Sequence, residues 1–168
     1  MVHPQASMRT PEDVIAFLRE RGLPGQIHRF PQGTPSIQAA AQAAGLSPEQ
    51  VLKSLLFFVA DRPVLVLLRG PARADYKALA RHFRVPRKRV RMARADEVLH
   101  WTGYPVGAVP PVALAHPVTV VIDPKVLEVP VVWAGGGAEN ALLEIPTQAL
   151  LEATQATVVP VQKTEPQA

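Results

Sequence analysis

The chain contains no cysteine. That excludes disulfides, thiolate metal sites and a cysteine nucleophile, and it is compatible with a reducing compartment. Long apolar runs are missing as well. Leu55 to Ala60 and Val118 to Ile122 fall far below membrane-spanning length, and the first residues lack the charged-then-apolar layout of a secretory signal. The expectation is a cytoplasmic protein with no membrane partner. The five histidines, His3, His28, His82, His100 and His116, include no pair at metal-ligand spacing, and no serine sits in a nucleophile-elbow pattern. Triad and metallohydrolase readings are therefore weak. The glycines at 135–137 are followed by neither the lysine nor the serine of a phosphate-binding loop.

What is present bounds the architecture. With 168 residues, 48% of them hydrophobic, the chain is long enough for one domain with a real core. Residues 1–160 read as that single domain and 161–168 as a disordered polar tail. Thr10-Pro11-Glu12-Asp13 is an N-cap, a proline at the first helical position and two acids in the first turn, with Gly22 as the stop. A short strand near Gln26 to Phe30 precedes an alanine-rich helix over Ser36 to Gly45. Ser47-Pro48-Glu49-Gln50 opens a further short helix ending near Lys53. Leu55 to Ala60 and Val64 to Leu68 flank Asp61-Arg62-Pro63 and read as a hairpin buried on both faces. Asp75 caps a helix to about Phe83, Val90 to Met92 reads as a strand, and Asp96 to His100 as a helical turn. Strands are expected at Val118 to Asp123, Val131 to Ala134, Ala141 to Ile145 and Thr157 to Val161, with a turn at Asp123-Pro124 and a helix over Pro146 to Ala153. Short strands mixed irregularly with short helices predict the α+β class.

Three features carry chemical information. The run Trp101 to Pro111 places Gly103 and Gly107 among Pro105, Pro110 and Pro111. Each proline locks φ, and each glycine allows close approach to the main chain, so the loop holds its shape before a ligand arrives. Bare amides on such a loop could be aimed at charge developing on a carbonyl oxygen; a tight structural turn would have the same composition. Lys53 stands beside a very apolar strand, where it either anchors a phosphate with a pKa lowered by burial or simply extends outward from a helix end. Finally, Arg81, Arg84, Arg87, Lys88, Arg89, Arg91 and Arg94 form an acid-free stretch holding seven of the eighteen basic residues of a chain with net charge +4. A patch of that kind suits a polyanion such as nucleic acid, or is a solvated face.

Val51-Leu52-Lys53-Ser54-Leu55, the loop Thr102-Gly103-Tyr104-Pro105-Val106-Gly107-Ala108-Val109-Pro110-Pro111, and Ala134-Gly135-Gly136 together resemble the YbaK/ProX family of aminoacyl-tRNA deacylases. The resemblance spans roughly residues 10 to 160. It implies a mixed α+β domain with a strongly bent, barrel-like sheet, and an editing hydrolase acting on the ester between a wrong amino acid and the 3′-terminal adenosine of tRNA, most often tRNA(Pro). It also implies catalytic positions at Lys53, Gly107 and Pro111. Lys53 would hold the terminal adenosine and its phosphate, and Gly107 and Pro111 would bracket the loop that grips the aminoacyl group. Thr102, Gly103, Tyr104, Ala108, Ala134, Gly135 and Gly136 would bind substrate, and Arg81, Arg84, Arg87, Lys88 and Arg89 would contact tRNA. No metal or cofactor is implied. The implied partners are aminoacyl-tRNA and prolyl-tRNA synthetase. The implied substrate carries a small amino acid, alanine or cysteine; Ala134 replaces a serine found in many relatives, which would make the pocket more apolar, a change compatible with alanine and less so with cysteine or serine. A non-catalytic module that binds aminoacyl-tRNA or a synthetase is the alternative.

Overall fold

The computed structural model describes residues 8–34 and 36–164. Helix α1 (Pro11–Arg21) begins where expected: the Thr10 amide donates to the Asp13 carboxylate, and Gly22 closes the helix in the left-handed region. Strand β1 (Gln26–Arg29) leads to α2 (Ile37–Ala44), capped by the Ser36 hydroxyl, which accepts from the Ala39 N–H at 3.0 Å. A single 3-10 turn, Pro48–Gln50, then feeds β2 (Leu52–Val59). The short helix therefore stops three residues before Lys53, which is the second residue of β2 and not a helix terminus.

β2 and β3 (Arg62–Arg69) form the expected hairpin, in full register from Leu52 opposite Arg69 to Val59 opposite Arg62. Its turn is tighter than the Asp61-Arg62-Pro63 cluster suggests. Ala60 and Asp61 alone make it, both at positive φ, and Arg62 and Pro63 already lie in the strand. Two positive-φ residues match the right-handed twist of the flanking strands, which is why a two-residue loop suffices. Helix α3 (Tyr76–Phe83) is capped by Asp75 and followed by β4 (Val90–Met92). Helix α4 (Ala95–Thr102) is longer than the turn read from the sequence.

The remaining strands are β5 (Thr119–Ile122), β6 (Val131–Gly135), β7 (Ala141–Pro146) and β8 (Thr157–Val158), with α5 (Thr147–Thr154) between the last two. A 3-10 segment, Pro124–Glu128, replaces the simple turn expected after Asp123.

These strands build two sheets. One is antiparallel, in the order β1-β7-β6; the other is mixed, in the order β4-β2-β3-β5-β8, with β3, β5 and β8 parallel. The single barrel-like sheet implied by the family resemblance is thus corrected to two sheets, with no closed barrel among the described residues. An isolated bridge between Val51 and Trp133 links them just before β2. The larger sheet is buried on both faces. Leu52, Leu56, Leu65 and Leu67 join one cluster with Val132, Leu143 and Ile145 of the smaller sheet. Phe57, Val59, Val64, Val66 and Leu68 join the other with Leu79 and Ala80 of α3. This explains why the hairpin strands read as nearly unbroken apolar runs.

Residues 161–163 do not behave as a free tail. Val161 is buried, its N–H donates to the buried Asp123 carboxylate at 2.9 Å, and the Lys163 N–H donates to the Arg73 carbonyl. The end of the tail, residues 165–168, lies outside the described residues.

Candidate active site

A cleft of about 360 Å³ opens where the two sheets, α2 and the glycine-proline loop meet. Lys53, Gly107 and Gly135, from three distant parts of the chain, all line it. The convergence has a local cause at each position.

Lys53 is half-buried at the start of β2 and belongs to none of the ion pairs among the described residues. Burial pushes its pKa below the usual lysine value, and the Arg73 guanidinium pushes in the same direction. A cation without a carboxylate partner and with a second cation nearby has electrostatic capacity for an anion, such as a phosphate.

Gly107 sits at φ 90° with open space where a side chain would project. An L-residue there would be strained, so glycine is what lets the loop turn its main chain outward. The N–H groups of Gly107 and Val109 donate to no protein acceptor among the described residues, whereas the Ala108 N–H donates to the Pro105 carbonyl. Both unpaired amides belong to residues lining the cleft.

Gly135 is needed for a different reason. A Cβ at this position would run into the backbone carbonyl of Val109, so its role is close packing of two main chains. The Gly137 N–H donates to the Ala108 carbonyl at 2.9 Å and fastens the loop to the turn after β6.

Several residues expected to bind substrate lie behind the cleft. Thr102 is fully buried; its hydroxyl donates to the Val98 carbonyl at 2.6 Å and accepts from the Tyr104 N–H. Gly103 is the left-handed residue closing α4. Tyr104 has no exposed surface, its hydroxyl donates to the Ala113 carbonyl at 2.9 Å, and burial pushes its pKa up to about 12. Ala108, Pro111, Ala134 and Gly136 are buried too, and none of these seven lines the cleft. They are buried beneath the loop and outside the lining of the cleft.

The basic stretch is less uniform than its composition. Arg89 pairs with Asp61 at 2.9 Å, Arg91 with Glu97 at 2.8 Å, and Arg94 with Asp96 and Glu97. Arg87 lies over the Tyr76 ring. Arg81, Arg84 and Lys88 are exposed and join none of the ion pairs among the described residues. Asp61 reaches the stretch from the hairpin turn, whereas Asp96 and Glu97 follow it directly in the first turn of α4. His28 lies on the edge strand β1, bonded to Glu144 at 3.0 Å and stacked on Trp133; His82 is exposed on α3.

Sequence reasoning missed other parts of the lining. Ile37 and Ala40 of α2, Met92, Val98 and Leu142 are ordinary apolar residues with no local mark of a site. Ser54 also lines it, and a single hydroxyl interrupting an apolar strand was the available signal.

Residues 32–153 match the family model for the aminoacyl-tRNA editing domain. Over 127 residues the chain is 29% identical to the uncharacterized protein YwhH of Bacillus subtilis, covering 75% of this chain and 79% of that protein. Over 91 residues it is 34% identical to a proline–tRNA ligase of a Geobacillus species, a stretch that makes up 54% of this chain and only 16% of the ligase. Among solved structures, a hypothetical protein named APE2540 superposes with a TM-score of 0.83 at 36% identity, covering 90% of this chain and 99% of that one. A candidate trans-editing enzyme for prolyl tRNA synthetase superposes equally well, TM-score 0.83 at 32% identity, covering 98% of this chain and all of that one. The match to the family model over most of the chain, with the fold and the converging Lys53, Gly107 and Gly135 beside it, places the protein in the aminoacyl-tRNA editing domain (YbaK/ProX) family.

Proposed function

We propose that this protein is a trans-editing hydrolase, cleaving the ester that joins a small, wrongly attached amino acid, alanine or cysteine, to the 3′ end of tRNA(Pro). The observation carrying the reading is the meeting of an unpaired lysine and two unpaired loop amides in one cleft. Lys53 would hold the terminal phosphate and adenosine. The Gly107 and Val109 amides would stabilise the negative charge that forms on the ester oxygen as water attacks. An aminoacyl ester is already activated, so positioning and oxyanion stabilisation can supply the rate without a side-chain nucleophile, the ribose hydroxyl next to the ester assisting the water or the leaving oxygen. The largely apolar lining would exclude big side chains by size. The link to proline comes from the relatives, proline–tRNA ligases and a candidate trans-editing enzyme for prolyl tRNA synthetase. A synthetase partner that hands over the tRNA fits the same picture.

The test is time-resolved deacylation of tRNA(Pro) carrying alanine, cysteine, serine or proline, with Lys53→Ala in parallel. Loss of a mischarged species, sparing Pro-tRNA and abolished by the substitution, is the expected result. Binding of the same tRNAs with every ester left intact would replace the hydrolase by a non-catalytic aminoacyl-tRNA-binding module.

A further inference from the structure

The cleft meets a stretch of open sheet edge. Leu52, Lys53, Ser54, Leu55 and Leu56 all line it, although side chains along β2 alternate between the two faces of the sheet. Consecutive residues of one strand share a cleft only where the cleft abuts the edge of that strand.

The pairing of β2 shows which backbone groups the edge presents. β3 covers one side of the strand along its whole length, while on the other side β4 pairs only with Phe57, Phe58 and Val59. The Leu56 carbonyl accepts the Ala93 N–H at 2.9 Å, so Leu56 turns its backbone toward the β4 side, and by strand alternation Ser54 does the same. The Ser54 N–H and carbonyl and the Leu56 N–H have no protein partner among the described residues. Leu56 is buried, and a buried main-chain N–H is nearly always bonded to protein, water or a ligand.

The open edge is short. It runs from the bridge between Val51 and Trp133 to the bond from Ala93, leaving residues 52–55, roughly 13 Å of strand, where an added strand would ordinarily span about 17–20 Å. A flat ring fits that gap better than a peptide. On the edge, the Ser54 carbonyl accepts and the Leu56 N–H, two residues on, donates. Adenine carries the complement, an exocyclic amine that donates beside a ring nitrogen that accepts. Ile37, Ala40, Val98 and Val109 give the cleft apolar walls, which suit the faces of a base whose orientation a few polar groups fix. The nearby hydroxyls are otherwise engaged: Thr34 donates to the Glu139 carbonyl at 2.9 Å, Ser36 accepts from the Ala39 N–H, and the Ser54 hydroxyl oxygen is turned into the protein. Lys53 directly precedes Ser54, so a phosphate on the same nucleotide finds its counter-charge beside the base.

We propose that the open edge of β2 reads the adenine base of the 3′-terminal nucleotide, the exocyclic amine donating to the Ser54 carbonyl and the adjacent ring nitrogen accepting from the Leu56 N–H. This deepens the hydrolase reading and takes the identity of the nucleotide from it, but the contact does not depend on cleavage of the ester.

The experiment titrates isotope-labelled protein with AMP, inosine monophosphate and purine riboside monophosphate, following the main-chain amide resonances by NMR. The second ligand replaces the exocyclic amine by a carbonyl and the third lacks it. AMP should bind about ten-fold or more tightly than either, and only AMP should move the Leu56 amide strongly downfield. Equal affinity for the three, AMP binding that leaves the Leu56 amide in place, or no binding of AMP would overturn the proposal. Deacylation of mischarged tRNA, measured separately, keeps the two readings apart. A protein that cleaves the ester without preferring AMP retains the hydrolase and loses the adenine contact; one that binds AMP through Leu56 and cleaves nothing retains the contact and loses the hydrolase.

Discussion

The Ala108 carbonyl accepts the Gly137 N–H at 2.9 Å, so the loop that carries the free amides is held by the turn that follows β6. Beside this bond, Gly135 brings its Cα against the Val109 carbonyl with no space for a methyl group. The loop is therefore positioned by a second segment about thirty residues away, and both must be intact for Gly107 and Val109 to keep their places in the cleft lining.

Gly135→Ala should force the two main chains apart. Overpacking of this kind costs roughly 1–3 kcal/mol, and the displaced loop should lower deacylation by about ten-fold or more, since misplacement of about an ångström is costly for catalysis. Chemical denaturation and single-turnover deacylation on the same preparation check both. Wild-type rates in the alanine variant would dissociate the loop from the reaction.

Lys53→Met should separate stability from binding. It removes a half-buried charge whose pKa burial holds below the usual lysine value, so the melting temperature should stay equal or rise. Affinity for charged tRNA should fall, and the slope of log K against log salt should shrink by about one. An unchanged slope would take Lys53 off the phosphate.

Among the basic residues, Arg84 and Lys88 are exposed and join no ion pair among the described residues, whereas Arg91 is committed to Glu97. Replacing Arg84 and Lys88 together by glutamine should reduce the salt slope of tRNA binding by about two. Arg91→Gln should change it less and should destabilise the start of α4. Filter binding across a salt series distinguishes the two.

The Glu97 carboxylate accepts from both terminal nitrogens of Arg91, at 2.8 and 2.9 Å, and from the Arg94 N–H, which holds its pKa down to about 2. A depressed folded-state pKa contributes stability above the unfolded value, near 4.5, and loses it as pH falls toward 2. Glu97→Gln should be less stable than wild type at pH 7, and the difference should vanish across that window. Denaturant midpoints at pH 7, 4 and 2.5 test it.

Tyr104 behaves in the opposite sense. With its pKa raised to about 12, the folded state keeps the phenol proton that the unfolded chain releases near pH 10. Stability referable to this group is complete below pH 10 and lost between 10 and 12. Tyr104→Phe should remove that alkaline step and, through the lost bond to the Ala113 carbonyl, cost about 1 kcal/mol at neutral pH.

What the sequence determined by itself was local. The N-caps at Thr10 and Asp75 and the hairpin of β2 and β3 depend on neighbours in the chain, and all were legible there. So were Lys53, Gly107 and Gly135, because the family resemblance marks those positions, and all three meet in the cleft. Tertiary structure decided the rest. Whether a motif residue lines the cleft or the core depends on what packs behind it, and Thr102, Tyr104, Pro111 and Ala134 are buried outside the lining. That Arg89 is paired depends on where the hairpin turn brings Asp61. Division into two sheets depends on long-range pairing that no local pattern encodes. The open edge of β2 could be found only by accounting for its backbone hydrogen bonds in three dimensions, since a missing hydrogen bond leaves no trace in the order of residues.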